Sequence, residues 1–175
     1  MRMRPWIPVL LASLAAAPAQ AGEWRVGPAP SDFPELQAAQ AANEAGDQIF
    51  VWPNHRDDRF QIFAEVHLAP PRRFGETLPT YSIDDGPVTD VEDIRKEGEA
   101  HSSLTAHARD AVCFWLLWSS PDAVIRKDDP LHAWLTGATL VLRYKSAVGV
   151  EQEARFSLAG AAAAIPEATG VSAEP

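Results

Sequence analysis

From Val112 to Ser119 the chain reads Val-Cys-Phe-Trp-Leu-Leu-Trp-Ser, an unbroken apolar run closed by a single hydroxyl. A run this short, rich in aromatics and without a helical period, predicts a buried strand at the centre of a sheet. Each large apolar side chain fully buried there contributes about 1.5–3 kcal/mol. Successive strand residues point to opposite faces, so Trp115 and Trp118 face opposite ways and both faces of this strand need cover.

Other stretches supply that cover. Arg59 to Leu68 alternates, with Phe60, Ile62, Ala64, Val66 and Leu68 on one face and Arg59, Gln61, Phe63, Glu65 and His67 on the other. Gln48 to Trp52 is a second β-prone run, stopped by Pro53-Asn54, and Asn54 to Asp58 is the polar loop between the two. Leu78 to Val91 predicts a hairpin at a sheet edge, turning at Asp85-Gly86 with Ile83 opposite Val88 and Ser82 opposite Thr89. In the last hairpin, a loop setting Ser146 against Val150 brings Lys145 opposite Glu151 and Arg143 opposite Glu153 outside. Leu142 then meets Ala154 and Leu140 meets Phe156 inside, so one register satisfies both faces.

Two short helices are expected. Asp32 as N-cap, Pro34 in the first turn, Glu35 as capping-box partner and the alanine-rich Leu36–Ala45 predict the first, ended by Gly46. Asp129 as N-cap, Pro130, the spacing of Leu131, Trp134 and Leu135, and Gly137 predict the second. Glu92 to Asp110 reads as a polar surface excursion with at most a turn or two of helix, and Ala159 to Ile165 as a closing helical turn. The fold class that follows is all-β: an antiparallel β-sandwich or partly open barrel with two short helices.

Residues 1–21 read as a signal peptide. Arg2 and Arg4 give a positive start, Ile7 to Ala17 an apolar core, and Ala19-Gln20-Ala21 a cleavage site. That core is shorter than the roughly 20 residues needed to span a bilayer. The expected product is one domain over 22–165 with a loose tail over 166–175, in the periplasm or secreted. Without the leader's two arginines, 13 basic residues face 24 acidic ones, a net charge of −11. That sign excludes the phosphate-neutralising chemistry by which nucleic acids and anionic membranes are bound. Cys113, the one cysteine, has no partner for an intramolecular disulfide and reads as a small buried hydrophobe.

The order of these features is similar to the small periplasmic β-proteins of the invasion-associated locus B type. It comprises an export signal, Trp24, a run of hairpins, a Trp/Leu-rich strand, a short capped helix, a final hairpin and the closure Phe156-Ser157-Leu158-Ala159-Gly160. The chain lacks that family's additional cysteines. The resemblance implies a compact periplasmic β-sandwich or barrel and carries no chemistry to any residue.

No phosphate loop, nucleophile elbow, H-E-x-x-H or C-x-x-C motif occurs. The densest set of potential metal donors is Glu97, Glu99, His101, His107 and Asp110, with Glu99, His101 and His107 the candidate ligands of a divalent ion. His55 to Arg59 and Asp84-Asp85 read as charged turns. Trp52 and Trp118 are the candidate aromatic binding surface. The expected role is a non-catalytic binding or assembly module for a protein or cell-envelope component, through a strand edge or an aromatic patch, without a resident cofactor. The alternative is a metal-dependent secreted enzyme or metal-binding protein using the Glu97–His107 region.

Overall fold

The apolar run forms a strand, β7 (Ala111–Ser120), but at the end of its sheet rather than the centre. A computed structural model describes residues 22–30, 35–56, 59–99, 110–120 and 124–173, with only the backbone described at 55, 56, 59, 97–99, 118–120 and 173. β1 (Arg25–Pro28), β2 (Gln37–Ala42), β3 (Gln48–Arg56), β4 (Arg59–His67) and β7 make a five-stranded antiparallel sheet in that order. A second antiparallel sheet has the order β10-β9-β5-β6, from β5 (Thr80–Ile83), β6 (Thr89–Asp90), β9 (Thr139–Lys145) and β10 (Glu151–Ser157). A short parallel pair joins β8 (Val124–Ile125) to β11 (Ser172–Ala173). The architecture is a sandwich, not a closed barrel.

β7 is outermost in hydrogen bonding yet buried on both sides. Val112, Phe114, Leu116 and Leu117 enter the main core between the sheets, while Cys113 and Trp115 join Phe50, Trp52 and Phe63 in a second cluster on the outer face. Register explains why two consecutive leucines share a face: Phe63 pairs with Trp115 but Ile62 with Leu117, so Leu116 is the extra residue of a bulge. Helix α1 (Val91–Glu99) packs on β7, and its Ile94 touches both clusters.

The predicted first helix is instead β2. Ala38 faces the outer cluster while Ala39 and Ala41 face the main core, a two-residue alternation. Alanine is a helix former in isolation, but here its small side chains let helix α3 (Ala161–Thr169) lie against β2, and packing overrides propensity. Asp32 and Pro34 of the expected cap lie outside the described residues. Gly46, at φ +82°, serves the β2–β3 turn, which the Asn43 side chain closes by accepting from the N–H groups of Ala45 and Asp47.

Other expectations shift at their ends. β3 runs through Pro53, which is possible because β2 pairs only with Gln48–Val51, and among the described residues no strand pairs with that side of β3 beyond. α2 (Pro130–Thr136) forms as predicted with Trp134 fully buried, although the Asp129 carboxylate accepts from Arg126 N–H instead of capping. α3 continues past Pro166 to Thr169; the carbonyl that loses its donor belongs to Ala162, an exposed residue. Val171 is buried and β11 pairs beyond it, so the folded body extends past the expected tail boundary. The described residues thus hold three helices, not two.

Candidate functional site

The last hairpin adopts the register that its two faces demand. Lys145 lies opposite Glu151, Arg143 opposite Glu153, Leu142 opposite Ala154 and Leu140 opposite Phe156. The charged residues form an exposed outer row, with Lys145–Glu151 at 3.8 Å, Arg143–Glu153 at 4.0 Å and Arg155–Glu153 at 2.8 Å. Such exposed pairs fix register more than they stabilise.

Hydrogen-bond parity shows what the other side of β10 offers. Ser146 N–H donates to Val150 O and Leu158 N–H to Ala138 O, each at 2.8 Å, so the inward-bonded residues of β10 are the even-numbered ones. The N–H and C=O groups of Glu151, Glu153, Arg155 and Ser157 therefore point away from the sheet. The Ser157 carbonyl accepts from the Trp24 indole N–H at 2.8 Å, which ties the segment leading into β1 to this edge. The outward groups of Glu151, Glu153 and Arg155 have no backbone partner among the described residues.

Beside this edge runs a groove of about 480 Å³. One wall is Glu153 to Ser157; the other is Gly22, Asn43 to Ala45 and Arg72. The far wall is held by Asp47, whose fully buried carboxylate accepts from Asn43 Nδ2, Ala69 N–H and the Arg72 guanidinium. Arg72 also donates to Ala45 O. Nearby, the Tyr144 hydroxyl donates to Gln152 Oε1 at 2.9 Å, and burial raises its pKa, partly offset by Arg72. Nothing in sequence links Asp47 to Arg72; only the turn-forming Asn43 and Gly46 hint at a fixed loop.

A second cleft, of about 440 Å³, lies between the β5–β6 turn and α2. Its turn is one residue out of the predicted register: Thr89 faces Tyr81, not Ser82. Asp84, at φ +50°, anchors the turn by accepting from the N–H groups of Ala138 and Thr139. Burial raises the pKa of Tyr81, with Thr89 and Trp134 opposing the shift, and its hydroxyl is sealed from solvent.

Of the sequence-derived candidates only Trp52 has a described side chain, and it lines neither cleft. Trp52 is only 3% exposed and stacks on Phe63 with ring centroids 5.0 Å apart, so it is packing rather than a presented aromatic face. Trp118 lies in β7, and its side chain is outside the described residues. The same holds for the side chain of Glu99 in α1, while His101 and His107 fall wholly outside them. Among the described residues no three His, Cys, Asp or Glu side chains gather as metal ligands, and no helix is long and apolar enough to cross a membrane. No protein-family profile, curated protein or solved structure matches the chain.

Proposed function

We propose that the protein is an exported, non-catalytic binding or assembly module that takes an extended protein segment along β10. The observation that carries this reading is the row of outward backbone groups at Glu151, Glu153 and Arg155 beside an open groove. Main-chain hydrogen bonds to such an edge supply affinity, and alternate side chains supply selectivity. β6, the other outer strand of the same sheet, has two residues, follows Pro87 and leads directly into α1. Short strands and prolines blunt edges against pairing, and β10 has neither. Periplasmic location is supported by the leader pattern and by the closure Phe156–Gly160 shared in type with invasion-associated locus B proteins. Gly22 N–H and the Trp24 indole already make their contacts immediately after the predicted cleavage point.

The test is selection of a random extended-peptide library on the purified protein, followed by fluorescence anisotropy with Arg155→Pro. Proline at 155 removes an outward N–H and no ladder bond, so the reading expects unchanged unfolding and at least about tenfold weaker peptide binding. Peptides that bind Arg155→Pro and wild type equally refute it.

A further inference from the structure

We infer that the segment paired to β10 is β10 of a second copy of this chain, antiparallel about a two-fold axis at Ala154. The inference rests on the strand-addition reading and names its partner. A two-fold between identical strands must place residues so that their numbers sum to a constant, and outward-bonding residues must face one another. Centring on Glu153 sets that carboxylate against its own copy, which is repulsive. Centring on Ala154 sets Glu153 opposite the second copy's Arg155 and Arg155 opposite its Glu153, two reciprocal opposite-charge pairs. Glu151 falls toward Ser157, whose carbonyl the Trp24 indole already occupies, so the seam is the two Glu153–Arg155 pairs and no like charges oppose across it. On the core face the residue at the axis is Ala154, the smallest side chain on the strand's inner row, flanked by Gln152 and Phe156.

The pieces needed are in place. Glu153 and Arg155 are both exposed, and the Arg155 guanidinium already lies 2.8 Å from Glu153 of its own strand, on the same outer face. The groove beside Glu153 to Ser157 is the space the second strand enters. The two four-stranded sheets join edge to edge into one continuous sheet. One strand pair is a small interface, of the kind found in weak, reversible association.

Sedimentation equilibrium of the purified protein across micromolar concentrations tests the inference through charge swaps. Wild type is expected to dimerise reversibly. Arg155→Glu and Glu153→Arg each weaken the dimer at least about tenfold, because each creates like-charge pairs across the seam. The double variant Glu153→Arg with Arg155→Glu restores it, since reversing both partners recreates the pairing. Thermal unfolding of each variant separates lost folding from lost association. A wild type that stays monomeric throughout, or a double variant no better than the singles, overturns the inference. Peptide binding that survives in a strictly monomeric protein leaves strand addition standing and removes only the second copy; loss of both removes both.

Discussion

The two sheets of the sandwich divide the work. The five-stranded sheet is apolar on both faces, with Ile62, Ala64 and Phe114 in the main core and Phe50, Trp52, Phe63 and Trp115 in the outer cluster. The four-stranded sheet packs one face on the main core; its other face buries Val141 and Ser82 but carries Arg143, Lys145, Glu151, Glu153 and Arg155 exposed to water. Under the strand-addition reading, recognition belongs to the sheet with an exposed charged face, where the backbone groups of β10 are available without breaking the core.

Substitutions sharpen this contrast. Phe63→Ala, on the outer face of the five-stranded sheet, is expected to cost about 3–5 kcal/mol in urea unfolding, as a core phenylalanine does. Arg143→Ala, on the wet face, is expected to cost about 0.5 kcal/mol or less. Equal small losses would mean that the outer cluster is not a true core. Alkaline pH separates the sheets as well. Burial, with the Glu65 carboxylate adding to it, holds the Cys113 thiol well above its ordinary pKa. The native state therefore keeps this proton when the unfolded chain releases it. The resulting stability is full below the unfolded pKa of about 8.5 and falls by about 1.4 kcal/mol per pH unit above it. Cys113→Ala is expected to flatten that decline between about pH 8.5 and pH 10; parallel wild-type and variant curves would contradict the burial. The edge lies between the core and the wet face: Trp24→Phe removes the indole donor to Ser157 and is expected to cost about 1 kcal/mol in the same urea assay.

Legibility in the sequence follows where the constraints lie. The β9–β10 register could be read directly because charge pairing outside and apolar pairing inside specify one alignment. The β5–β6 register could not, since Asp84 sets the turn through contacts to Ala138 and Thr139, more than fifty residues away. The alanines of β2 carry no strand propensity and gain their role only when α3 lies on them. The octet at β7 announced burial but not its place in the sheet, because α1 supplies a layer that hydrogen bonding does not. The candidate site was hidden for a similar reason: an edge is a property of topology, and no residue type in β10 marks it as outermost. Trp52 shows the converse, a residue whose chemistry suits binding but which the fold spends on packing.

The central claim is that one side of β10 is bonded and the other is open. Amide hydrogen exchange of the monomeric protein at high dilution, resolved residue by residue by NMR, tests it most directly. Slow exchange at Gln152, Ala154 and Phe156 with fast exchange at Glu151, Glu153 and Arg155 is the predicted alternation. Uniform protection along all six amides would contradict it, because the edge would then already be covered.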